Sequence, residues 1–199
     1  MSWGAPPWQG LLMAHASDSR TRPYPPRLGP RDLARHSGWA PNTLRYWYKT
    51  RKQDGPLLSA LRILRNYAVV ELMKYFPSLS WKNVILRRVL GMKIGRNVTI
   101  TPGTDLDFFF PELIEIGENT IIGLNAMIIT HEFFHDHYRT GPVRIGANVI
   151  VGARTIVLAG VSIAEGATIS AGSFVNRSVP EGTLVRGNPI AIVARPSPS

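Results

Sequence analysis

Counting in steps of six from Ile145 lands on Val151, Val157, Ile163, Ile169 and Val175, every one β-branched. The fifth position of each hexad is small or β-branched: Val149, Thr155, Val161, Ala167, Ser173. Earlier blocks keep the beat at Ile94, Ile100 and Leu106, and again at Ile116, Ile122 and Ile128. A period of six fits neither an amphipathic helix nor an alternating strand. It predicts a parallel β-helix, in which each short strand points one aliphatic side chain inward to stack on its equivalent in the next coil. Gly95, Gly117, Gly123, Gly146 and Gly152 follow the aliphatic positions, where the absence of a Cβ relieves crowding at the corners.

The beat breaks twice. From Leu106 to Ile116 the step is ten residues, and the surplus belongs to the acidic-aromatic stretch DFFFPEL. Between Ile128 and Ile145 lies a longer excursion, ITHEFFHDHYRTGPVR. A polar-aromatic loop thrown out of a rigid scaffold is where chemistry is expected. Three of the chain's five histidines lie there: His131, His135 and His137. Histidine is the natural general base near neutral pH. His131 follows directly on the strand ending Ile128–Thr130, so its backbone is anchored. His135 and His137 are expected to be solvent-exposed loop residues.

Charge separates the repeats from what precedes them. Residues 1–93 carry 16 Lys/Arg and 4 Asp/Glu, whereas 94–199 carry 7 and 9. The basic half could face nucleic acid or anionic lipid, but no helix-turn-helix, zinc-finger or RNP pattern accompanies it, so no nucleic-acid partner is expected. Cysteine is absent, which removes disulfides, thiolate metal sites and a cysteine nucleophile. The first residues lack a basic n-region and a long apolar run, which points to a cytoplasmic protein. Residues 1–41, rich in Pro, Arg, Ser and Gly, are expected to be mostly disordered, with Trp3, Trp8 and Trp39 docking locally at most. Residues 42–91 form a helical extension: a short helix around Thr43–Lys52, a better one opening at Gly55-Pro56 and stopping at Pro77, and a third near Ser80–Leu90 ending at Gly91. On the second helix Leu57, Leu61, Leu64, Ala68, Leu72 and Tyr75 share a stripe. It is expected to pack on the β-helix or a neighbouring subunit, the alternative being an interfacial helix on the inner face of a membrane. The β-helix spans 92–175 with an inserted loop 130–144, and 176–199 form a C-terminal cap and tail.

THEF at the mouth of the loop, followed by RIGANVIVGARTIVLAGVSIAEGATISAGSFV and closed by RGNPIAIV, resembles the hexapeptide-repeat acyltransferases. FFFPELIEIGENTIIGLNAMIITHEF adds to the likeness, which covers about residues 80–195 and is nearest to the maltose/galactoside O-acetyltransferase type. The resemblance implies a left-handed parallel β-helix assembled as a homotrimer, with active sites in grooves between subunits. It also implies transfer of an acyl group, usually acetyl from acetyl-CoA, to a sugar-like hydroxyl or an amine. His131 matches the family's catalytic base. Ala153 and Ala171 match the corners that face the pantetheine arm, and Asn176-Arg177 stands where the family has Thr-Lys, making Arg177 a phosphate contact. After the Gly187-Asn188-Pro189 turn the usual cation is missing, which leaves Arg186 and Arg195 as further phosphate candidates. Asp107 and Glu132 are candidates for acceptor contact or for orienting His131.

Two other functions are weighed. Zinc hydratases of the same fold gather histidines from different coils, unlike the close spacing within this one loop, so no metal is expected. A non-catalytic trimeric scaffold would leave His131 and the open small-residue corners without a use.

Overall fold

The computed structural model describes residues 28–37 and 56–194. The helix expected over Thr43–Lys52, the tryptophans Trp3, Trp8 and Trp39, and Arg195 lie outside them. Within 93–186 the hexads become a left-handed parallel β-helix of three faces. The first face stacks Ile94, Ile116, Ile145 and Ile163. The second stacks Ile100, Ile122, Val151 and Ile169, and the third Leu106, Ile128, Val157 and Val175. All of these side chains are buried, each worth about 1.5–3 kcal/mol relative to exposure.

A regular coil takes 18 residues, as from Ile145 to Ile163. The coil from Ile94 to Ile116 takes 22 and the coil from Ile116 to Ile145 takes 29, so both phase breaks are insertions into an unbroken ladder. The glycines after the aliphatics are not left-handed. A Cβ on Gly95, Gly117, Gly123, Gly146 or Gly152 would lie 2.3–2.7 Å from a backbone nitrogen of the next coil, so these glycines let neighbouring corners nest. The left-handed positions fall instead three residues after the aliphatic, on Asn97, Asn119, Asn125, Asn148 and Arg154 and on Gly103, Gly160, Gly166 and Gly172; asparagine tolerates that region better than most residues. Asn97, Asn119 and Asn148 join side chain to side chain up one edge.

The ladder runs beyond Val175, where the repeat was expected to stop. Val179 bridges Ile163 and Val185 pairs with Ile169, both buried. The shortened step from Val175 to Val179 hides this last partial coil from a strict count of six. Strand Ala191–Ala194 then folds back antiparallel on Leu184–Arg186 and covers the edge.

At the other end two helices close the first coil, α1 (Pro56–Lys74) and α2 (Leu79–Leu90), the latter ended by Gly91 in the left-handed conformation. The leucine stripe does not pack on the β-helix of its own chain, the first of the two places expected for it: Leu57, Leu61, Leu64, Leu72 and Tyr75 are each more than half exposed. The buried face carries Ser59, Ile63, Asn66, Val70 and Met73. Helix α1 is apolar on two sides, and only this side also supplies an amide, Asn66, which donates to the Phe108 carbonyl at 3.0 Å. No described helix is long and apolar enough to cross a membrane.

Helix α2 explains part of the basicity. The first coil has no preceding coil to donate to its carbonyls, and α2 meets them with side-chain donors. Lys82 reaches the Ile100 oxygen at 3.1 Å, Asn83 that of Val98 at 2.7 Å, and Arg87 those of Ile94 and Gly95, both at 2.7 Å. Burial pushes the Lys82 ammonium down to about 8, whereas in an unfolded chain it titrates at about 10.4. The unfolded state therefore binds more protons between these values, and stability rises with pH across that window. Thermal unfolding is expected to show a Tm increase from pH 8 towards 10 that is absent in Lys82→Met, the full effect being at most about 3 kcal/mol. Equal slopes in the two proteins would refute the buried, depressed lysine.

Residues 28–37, within the stretch expected to lack order, form a strap along the coils. Gly29 pairs with Ser178 through two backbone hydrogen bonds, and the Asp32 amide donates to the Gly160 carbonyl at 2.7 Å. Strand β1 (Ala34–Ser37) pairs antiparallel with β3 (His137–Thr140), which pairs with β2 (His131–Phe133). The inserted loop is thus the hairpin of a three-stranded sheet. The strap has a cradle: a Cβ on Gly141 or Gly160 would lie 2.4 Å from the Asp32 carbonyl oxygen. Composition misjudged this segment because its order comes from edge pairing and close backbone approach, not from burying its own side chains.

Candidate functional site

The first insertion places Asp107 directly after the Leu106 strand, and the second places His131 just beyond the Ile128 strand in the next coil. Leu106 and Ile128 pair across the third face, so both insertions leave the scaffold at one edge. There Asp107 Oδ2 lies 2.5 Å from His131 Nδ1. The carboxylate is fully buried and accepts three more hydrogen bonds, from the amides of Phe109 (2.8 Å), Phe110 (3.2 Å) and Thr130 (2.8 Å). Burial alone would raise its pKa, but the hydrogen bonds from His131 and Thr130 hold it below the ordinary carboxylate range. An ionised carboxylate only accepts, so the proton between the two groups sits on Nδ1. In the neutral imidazole this tautomer gives Nε2 the lone pair, the form a general base requires.

Aromatic rings fix the imidazole from the sides. Phe109 meets it edge-on at 4.9 Å and Phe133 lies tilted at 4.2 Å. Thr130 ties the two insertions together through its hydroxyl, which donates to the Phe110 carbonyl. The pocket in front of the pair encloses about 290 Å³ and is lined by Val70, Asp105, Phe108, Met127, Ile129 and both members of the pair, among others.

Of the other sequence candidates, Glu132 turns away from the imidazole and forms an ion pair with Arg31, which also donates to the Ala159 carbonyl. Successive strand residues face opposite sides, so the neighbour of a pocket-facing His131 faces the strap. His135 is exposed, as expected. His137 is not: it is buried, stacked at 4.5 Å on Phe134 and bonded to Asp136. Among the described residues no group of three or more His, Asp or Glu could hold a metal ion.

Ala153 and Ala171 form one column of corners, joined by the bond from the Gly172 amide to the Ala153 carbonyl. That column follows the second face, while Asp107, His131, Asn176 and Arg177 follow the third. The structure therefore does not bring the two alanines to the imidazole within one chain. Arg177 is exposed and donates to the Leu28 carbonyl at 2.9 Å. Arg186 is exposed on the last coil, and Asn176 is partly buried with an unpartnered side-chain oxygen. Sequence reasoning missed Arg31, Thr130 and Asn66. No local signal marks Arg31, which pairs across about a hundred residues of chain.

Arg31 reaches the site only through the residue beside His131, and its removal is expected to loosen β2. Arg31→Ala should lower turnover about tenfold or less, and the exchanged pair Arg31→Glu with Glu132→Arg should recover most of it. An exchanged pair no better than the single variants would deny the ion pair any part in activity.

Residues 142–177 match the family described as the hexapeptide repeat of succinyl-transferase. YvoF of Bacillus subtilis, which carries an acetyltransferase name, is 38% identical over 163 residues, covering 82% of this chain and 91% of its own. Among solved structures, a hexapeptide-repeat acetyltransferase from Vibrio cholerae complexed with acetyl coenzyme A superposes with a TM-score of 0.55 at 21% identity, over 70% of this chain and 88% of the other. A maltose O-acetyltransferase from Clostridium difficile superposes with a TM-score of 0.53 at 21% identity over the same shares. At that identity the structural likeness speaks for the fold.

Proposed function

Since the chain belongs to the hexapeptide-repeat acetyltransferases, we propose that it moves acetyl from acetyl-CoA to a hydroxyl of a sugar or saccharide, with His131 as general base. The observation that carries this reading is the buried Asp107 carboxylate on His131 Nδ1, which leaves Nε2 free to accept a proton. Nε2 takes the hydroxyl proton as the acceptor oxygen bonds to the thioester carbonyl carbon. The tetrahedral intermediate expels the CoA thiolate, which takes that proton from the imidazolium and leaves as the thiol. No acyl-enzyme forms, in keeping with a chain that has no cysteine. Backbone amides at the groove would receive the oxyanion.

Ala153 and Ala171 are small enough for a pantetheine arm to lie against their corners, and Arg177, Arg186 and Arg195 are the candidates for its phosphates. The alanine column and the histidine edge belong to different edges of one chain. A homotrimer that sets one copy's column against the next copy's edge would complete the site.

The test is CoA release from acetyl-CoA across a panel of sugars and amines, with products identified by mass. Acceptor-dependent release with an O-acetylated sugar supports the reading. Acetylation confined to amines would replace the acceptor class, and failure to bind acetyl-CoA would overturn the reading altogether.

A further inference from the structure

We propose that the acceptor carries an apolar moiety, an alkyl chain or aromatic aglycone, seated in a second cavity beside the His131 pocket. The inference rests on the transfer reading above and names its substrate class. The cavity encloses about 270 Å³ and is lined by Ala60, Ile63, Leu64, Tyr67 and Phe108. Apart from the Tyr67 hydroxyl its side chains offer no polar group, so it suits hydrocarbon and not a second sugar ring.

Phe108 is a wall of both cavities. Tyr67 meets Phe108 edge-on at 5.4 Å, Phe108 lies 4.4 Å from Phe109, and Phe109 meets His131 at 4.9 Å. One run of rings thus leads from the apolar cavity to the imidazole. Helix α1 spans the same interval: Leu64 lines one cavity and Val70 the other, about 9 Å apart along the axis. That is the reach of one sugar ring with its glycosidic link. The shared wall is preset, because Asn66, almost wholly buried, holds the Phe108 carbonyl. Beyond the cavity Leu57 and Leu61 lie exposed on the same helix and extend the track for a longer chain. A second copy of the chain, the other occupant that could cover these leucines, would not require a cavity that shares the Phe108 wall with the His131 pocket.

Whichever sugar the panel shows to be acetylated is tested as its methyl and octyl glycosides, below the micelle concentration. Wild type is expected to show kcat/KM about tenfold or more higher for the octyl compound, mainly through KM. Leu64→Asn, at an exposed position, and Ala60→Phe, which fills the cavity, should bring the ratio to about one. Equal values for both glycosides in wild type would overturn the subsite and leave acetyl transfer standing. Calorimetry of octyl glucoside binding to the full chain, with His131→Ala alongside, reads the subsite without turnover. Saturable binding that survives His131→Ala and is lost in Ala60→Phe supports it, and no saturable binding overturns it. So does a Leu64→Asn variant that falls apart into smaller assemblies, since a second copy would then be the occupant.

Discussion

Replacing His131 by alanine is expected to lower acceptor-dependent CoA release by about two to four orders of magnitude while acetyl-CoA still binds. The size follows from the role: the hydroxyl would have to attack with its proton in place, or lose it to water. Asp107→Asn separates the base from its orientation. An amide there can offer N–H where the carboxylate only accepted, so Nδ1 no longer has to hold the proton and Nε2 can be left protonated. Activity should fall about a hundredfold or more. The asparagine variant should also lose stability, because the carboxylate's bonds to the Phe109, Phe110 and Thr130 amides are charge-assisted and buried. Urea unfolding and turnover measured together distinguish the two losses. A His131→Ala protein with undiminished turnover would remove the histidine from the chemistry.

The largest loss of stability is expected inside the ladder. Ile122 is fully buried and stacks between Ile100 and Val151, so Ile122→Ala opens a cavity that neither coil can close without losing its own register. The cost is about 2–5 kcal/mol, a Tm drop of roughly 10 °C. Ile121, half-exposed on the adjacent position of the same strand, is the control: Ile121→Ala should cost much less. Similar losses at both positions would contradict the inward-outward alternation on which the fold rests.

How far the residues reveal this molecule depends on which force orders each part. The three faces were legible because one aliphatic per strand must point inward, and Ile94 to Val175 record that demand directly. Asp107 and His131 were legible as candidates because each stands just after a hexad. Their contact was legible only as one of two roles open to Asp107 and to Glu132, since it needs two insertions that leave the same edge in successive coils. The face of α1 that packs within the chain was hard to choose because apolar residues occupy two sides of that helix. What separates the sides is Asn66, a polar residue whose partner, the Phe108 carbonyl, lies 42 positions away. The strap was invisible for a related reason: Gly141 and Gly160 shape its bed, and nothing near Asp32 in the chain announces them. His137 was placed in solvent because a loop was expected where the strap builds a sheet.

That strap joins residues very far apart. Ala34 pairs with Thr140, whereas each coil pairs with one 16 to 29 residues away. Short loop closures let the ladder grow coil upon coil, while the hairpin bearing His131 gains its third strand only by closing a loop of more than a hundred residues, at a greater entropic cost. The scaffold and the hairpin that bears His131 therefore differ in contact order. The ladder is built from neighbours, whereas the hairpin is complete only where residues 34–37 return to it from across the chain.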